Sequence, residues 1–204
     1  MSKVLLRFLL IFCLFTTATA FKAHASILVT CDTLSADTVP PVYKAQDGKV
    51  YPPVPDNPNR LFYLQRSKNI NAVCYDVNIN AETGLADEKS PVNIYWLRFA
   101  EANGEKEDLT YIQRKFAYGI TSKPLGNGNF DIRLVSYDKI PFKLMQGSDG
   151  KYHIFAFISK KRILLKSIFI KTDGGSMWSP NVIFVEMKGT DPETGKEVTE
   201  RFKP

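Results

Sequence analysis

The sequence predicts a mainly β protein: a single domain, an antiparallel β-sandwich or partly open barrel of about nine strands with one short helix. Three observations carry this. Phe and Tyr are abundant, 14 and 9 of 204 residues, and both favour a pleated, half-buried surface. From Arg60 onward, apolar runs of strand length follow one another between clusters of Gly, Pro, Asp and Ser. Several of those runs alternate apolar with polar residues, the period of a strand with one wet face.

The elements follow in chain order. "MSKVLLRFLLIFCLFTTATAFKAHAS" has Lys3 and Arg7 ahead of an apolar stretch from Phe8 to Phe15. Small residues come next, with A-x-A patterns ending at Ala20 and Ala25. This predicts a signal peptide over 1–25, cleaved after Ala20 or Ala25. Lys22 interrupts the apolar run too early for a bilayer span, which needs about 20 residues, and no later segment is long and apolar enough. The mature chain is therefore expected to carry no membrane-spanning segment and to be periplasmic, cell-surface or extracellular. Residues 26–59 read as a Pro-rich leader, because prolines forbid regular ladders and favour extended chain. Tyr43 and Tyr51 favour partial docking of that leader on the domain, which spans 60–204.

Strands are expected near 60–66, 72–79, 92–100, 129–137, 141–147, 151–158, 162–171, 180–188 and 196–202. The segments between them, among them "AETGLADEKSP", "DKIP", "GSDGK", "TDGGS" and "DPETGK", supply preset φ angles, positive φ or local side-chain hydrogen bonds. Val73, Tyr75, Val77 and Ile79 share one face of a strand, and Cys74, Asp76 and Asn78 the other. Phe130, Ile132 and Leu134 likewise oppose Asp131 and Arg133. "EKEDLTYIQRKFAYG" breaks the pattern. Leu109, Ile112 and Phe116 stand at helical spacing, with acids at 105, 107 and 108 ahead and Arg114 and Lys115 behind. That charge order suits a helix dipole, so a helix of about three turns is expected near 107–118, ending at Gly119. "SKKRILLKSIFIK" reads as a strand rather than a membrane-surface helix, because Ile163, Ile168 and Ile170 are β-branched.

Charge and chemistry exclude several classes. The full chain has a net charge of +6, but losing Lys3, Arg7 and Lys22 leaves 24 basic against 21 acidic residues, or +3. Nucleic acid is not an expected partner at that charge. With His24 in the signal region, His153 is the one histidine of the folded part, so no multi-imidazole metal site is expected, and no paired CxxC replaces it. His153 sits in "KYHIFAFI" without a nucleophile elbow nearby, which makes it structural. "GNGN" at 126–129 lacks the ending and context of a phosphate loop, so no cofactor is expected. Cys31 and Cys74 remain after cleavage. They stand as a pair able to close a disulfide; Cys74 as a buried apolar residue and Cys31 as a lipidated N-terminus are the alternatives.

What remains is a group of multi-donor residues beside aromatics. Arg66, Asn69 and Asn71 frame the bend of the first hairpin. Trp96 and Arg98 lie in "IYWLRF", and Gln113, Arg114 and Tyr118 on the expected helix. Guanidinium forks bind anions bidentately and aromatic faces stack on sugars, so these eight are the candidate site for a cell-envelope glycan or a small anion. No residue is assigned a catalytic role. Two further readings stand beside this binding module. One is a hydrolase of envelope polysaccharide or peptide working through Glu186, Asp76 or Asp131. The other is a barrel enclosing an apolar ligand.

The blocks "LFYLQRSKNINAVCYDVN", "PVNIYWLRF" and "LTYIQRKFAYGI", in this order, resemble a family of secreted bacterial proteins known only as a domain of unknown function. The resemblance covers roughly residues 60–190. It implies that the three blocks belong to one fold and that the signal peptide is typical of the group, and it carries over no catalytic residue.

Overall fold

The computed structural model describes residues 43–44, 50–158, 160–176 and 179–204. The expected signal peptide over 1–25 and Cys31, with its expected pairing to Cys74, lie outside the described residues.

Two short strands, β1 (Tyr43–Lys44) and β2 (Val50–Tyr51), pair with each other ahead of the main sheet. Tyr51 is fully buried and packs edge-on against Phe169, with ring centroids 5.5 Å apart. The chain after it runs on to the main sheet. β3 (Arg60–Arg66) and β4 (Asn69–Val77) form the first hairpin, followed by β5 (Val92–Arg98). A four-residue helix α1 (Phe99–Ala102), closed by Asn103 in the left-handed region, turns the chain into β6 (Glu105–Asp108). Helix α2 (Tyr111–Gln113) continues directly as a π turn over Arg114–Tyr118. Then come β7 (Ile120–Gly126), β8 (Asn129–Leu134), β9 (Tyr137–Gln146), β10 (Tyr152–Ile158), β11 (Lys161–Gly175), β12 (Pro180–Thr190) and β13 (Glu197–Phe202).

Eleven strands share one sheet, ordered β6-β5-β4-β3-β11-β10-β9-β8-β7, with β12 and β13 attached through β11. It curls into a half-barrel, in agreement with the mainly β, single-domain expectation. Pairing is antiparallel except between β3 and β11, which run parallel. β11 is the hinge of the topology. Leu164 pairs with both β10 and β12, and Ser167–Ile170 pair with both β3 and β12. A strand has two edges, so β10 and β3 follow one another along the edge opposite β12. The register shift between Leu165 and Ser167 marks where one neighbour gives way to the next. Two curved wings, β3–β6 and β7–β10, thus leave the same edge and fold over a shared core. Phe62 and Tyr75 stack there at 4.2 Å, and Phe142 of the other wing closes on Phe62 at 6.1 Å.

Nine strands of this sheet fall near the expected positions, although "DKIP", expected as a break, lies inside β9 with the turn at 135–136 instead, and β6 and β7 are additional. The acids expected to open the helix belong to β6, an edge strand whose four residues are all exposed. Alternating charge on an exposed edge discourages pairing with other chains. The helix is therefore shorter than predicted and confined to 111–118. Of the three residues at helical spacing, Leu109 is buried whereas Ile112 and Phe116 are 50% and 57% exposed. The expected wet face of β4 is also covered, because Cys74 packs with Tyr95 and Leu97 under Val54, Tyr63 and Phe99. Among the described residues no helix is long and apolar enough to cross a membrane.

Candidate functional site

The bend at 66–71 is a two-residue turn fastened to β11. Lys68 takes φ +70°, and Ser67 is buried. The Ser67 Oγ donates to the Thr172 carbonyl at 3.1 Å and accepts from the Thr172 N–H at 2.8 Å, while its own N–H reaches the Ile170 carbonyl. The end of β3 is thereby fixed, and with it Arg66.

Five of the eight predicted residues form a chain of contacts. The Arg66 guanidinium lies 5.7 Å from the centre of the Tyr118 ring. Tyr118 meets Trp96 edge-on at 4.9 Å, and the Trp96 ring carries Arg98 5.6 Å from its centre. The Trp96 Nε1 donates to the Gln113 Oε1 at 3.4 Å. Gln113 and Thr110 also close a reciprocal capping box, a T-x-x-Q spacing visible in the sequence. Trp96 is only 4% exposed, so its faces are committed to the protein rather than open to a sugar.

The remaining three are held by local bonds. Asn71 Oδ1 accepts from the Ala100 N–H and its Nδ2 donates to Glu101, tying β4 to α1. Asn69 Oδ1 accepts from the Asn71 N–H. Arg114 donates to the Ile94 carbonyl at 3.3 Å. Arg98, besides its place over Trp96, bridges Glu101 and Glu107 at 3.4 and 3.2 Å.

Arg66 and Tyr118 also reach a cavity of about 480 Å³ at the mouth of the half-barrel. Its walls come from both wings and from the strands that join them. Leu64 of β3, Leu134 of β8, Ile140 and Phe142 of β9, Ile168 and Ile170 of β11, and Val185 and Met187 of β12 supply an apolar lining. Phe116 and Ala117 of the π turn stand at one side and Phe202 of β13 at another. The volume is in the range of small-molecule sites. Gly119 sets the position of this turn: a Cβ there would collide with the Arg114 carbonyl oxygen. The lining residues escaped notice in the sequence because an apolar side chain facing a cavity looks like one facing the core.

Burial raises the Tyr118 phenol above its ordinary range, against the opposing pull of Arg66, so it is a protonated donor at neutral pH. Tyr75 beneath it is raised too, again by burial, and its hydroxyl donates to the Tyr118 carbonyl at 2.8 Å.

A second hollow, of about 790 Å³, lies between the 147–150 turn and the 191–195 turn. His153 meets Asp149 there at 3.0 Å, and Arg162 stacks 3.9 Å from the centre of Phe155. Seven of its lining residues, including Ser148, Asp149, Lys161 and Glu193, are exposed.

The acids singled out in the sequence each have a cationic neighbour. Glu186 pairs with Arg201 and Lys188, Asp131 with Lys143, and Asp76 with Arg60 while accepting from the Tyr95 hydroxyl. No cluster of three or more metal-ligating side chains occurs among the described residues. Cys74 is fully buried, and burial pushes its thiol up to about 12, which suits an unreactive core residue.

Residues 62–201 match a family model described as a domain of unknown function (DUF4833). No curated protein and no solved structure matches the chain.

Proposed function

The chain belongs to the DUF4833 family, and with no activity attached to that description we propose, from the site itself, that the domain is an exported binding module that holds an apolar small molecule in the mouth of its half-barrel. The cavity carries this reading. Strands from both wings converge on about 480 Å³ of apolar wall instead of closing it with side chains, and protein interiors are otherwise packed nearly free of such space. The N-terminal A-x-A pattern supports export to the periplasm or cell surface. The buried Trp96 gives a glycan no stacking face, and Glu186, Asp76 and Asp131 are each engaged by a neighbouring cation on separate strands, so both alternatives draw less support.

The test is titration of the full chain with N-phenyl-1-naphthylamine, a neutral dye that brightens in apolar surroundings. Saturable brightening is expected, weakened at least tenfold in Ile170→Trp, which fills the cavity from β11. An unsaturable response, or one unchanged by Ile170→Trp in a variant that keeps its cooperative melt, would sink the reading.

A further inference from the structure

Six polar side chains stand among the apolar walls, Arg66, Tyr118, Ser136, Tyr137, Thr172 and Ser179, and the first two are set apart by their surroundings. Arg66 is the one charged side chain among the described lining residues, and it is half-buried. Among the described residues no carboxylate lies within ion-pair range of it. Its neighbour is the face of Tyr118. Tyr118 is 4% exposed, and its hydroxyl, wholly buried, has no hydrogen-bond partner. Buried polar groups in native proteins are almost always paired, so a phenol left over beside a lone guanidinium, both on a cavity wall, asks for an acceptor carried by something else.

We infer that Arg66 and Tyr118 form the polar pole of the cavity and that its ligand is an aliphatic chain ending in a carboxylate. This rests on the reading of the cavity as a binding site and adds the chemical class of the ligand. A carboxylate presents two coplanar oxygens, which a guanidinium fork receives bidentately, with lone pairs left for a phenol O–H. A single positive charge balances a single negative one. A phosphate monoester, carrying nearly two charges, would leave one uncompensated in an apolar site that offers no second cation. The alkyl chain would then run away from Arg66 along Ile168 and Phe142, and Phe116, 57% exposed on the π turn, stands at the entrance.

Competition for the bound dye separates this inference from the reading beneath it. Decanoate, 1-decanol and decyl phosphate are titrated against the full chain, Arg66→Met and Tyr118→Phe. The wild type is expected to favour decanoate over decanol at least tenfold. Arg66→Met should abolish that preference by weakening decanoate alone, and its unchanged affinity for decanol shows that the variant is folded. Tyr118→Phe should weaken decanoate several-fold and leave decanol unchanged. Equal binding of decanoate and decanol to the wild type, or a preference that survives Arg66→Met, overturns the polar pole while the apolar site stands. Decyl phosphate outranking decanoate overturns the carboxylate. If neither the dye nor any of the three binds, the cavity reading itself falls and this inference with it.

Discussion

The two hollows of the molecule differ in the opposite sense to their size. The one beside His153 is the larger, at about 790 Å³, but hairpin turns supply much of its wall and most of its lining residues are exposed. Asp149 meets His153, and the 191–195 turn bonds to itself through Asp191. The half-barrel mouth is smaller, yet its walls are sheet strands from both wings, and among the described residues its one guanidinium has no carboxylate in ion-pair range and its buried phenol no hydrogen-bond partner. Volume between turns follows from strands ending at different heights. Volume between strands has to be maintained against collapse by the fold itself, and only there do unmet polar groups point to something bound.

That contrast can be broken most decisively through stability. Phe142 lies in the floor of the apolar hollow and touches Phe62 across the core, so Phe142→Ala should cost about 3–5 kcal/mol in a urea titration. Lys161→Ala at the polar hollow should stay within about 0.5 kcal/mol. Comparable losses at the two positions would remove the distinction between a built wall and a gap between turns.

A smaller effect sharpens the role of the π turn. Gly119→Ala forces a methyl group against the Arg114 carbonyl and should cost about 1–3 kcal/mol. Because Tyr118 precedes it, dye affinity should fall as well, beyond what the stability loss explains at temperatures where the variant remains folded. Unaltered affinity would show that the turn is not part of the site.

The smallest effect belongs to the polar hollow. The His153 hydrogen bond, followed by the Lys151 N–H, holds the Asp149 carboxyl below its ordinary value of 3.8. A lowered acid contributes stability that is fully present above that value and is lost as pH falls through the folded one. Asp149→Asn keeps the turn but not the charge. Its melting temperature should therefore lie slightly below the wild type at pH 6 and converge with it near pH 2. A gap that persists at pH 2 would assign the difference to the turn rather than to the carboxylate.

The strands were legible where a strand has one apolar face and ends in turn-forming residues. β8 is the clearest case, with Phe130, Ile132 and Leu134 inward and Asp131 and Arg133 at the surface. β6 and β7 were not, because "EKED" and "ITSKPLG" have no apolar face to read and take their conformation from the strand beside them. The helix, expected near 107–118, occupies only 111–118, and its orientation was not legible, since the spacing of Ile112 and Phe116 says that they share a face without saying what that face meets. At the site, Arg66 and Tyr118 were visible as polar groups beside aromatics. Asn71 and Trp96 have the same composition signal and turn out to be buried and internally bonded. What separates the two pairs is partnership, which depends on residues far away in the chain.

The parallel pairing of β3 with β11 has a consequence for how the molecule is made. Ser67 and Thr172, the bonded pair at its end, are 105 residues apart in the chain. A contact of that span must repay the entropy of closing everything between, and such topologies fold slowly. The wing β3–β6 is synthesised first and has no seat until β11 emerges. The half-barrel therefore closes only once nearly the whole sequence is present.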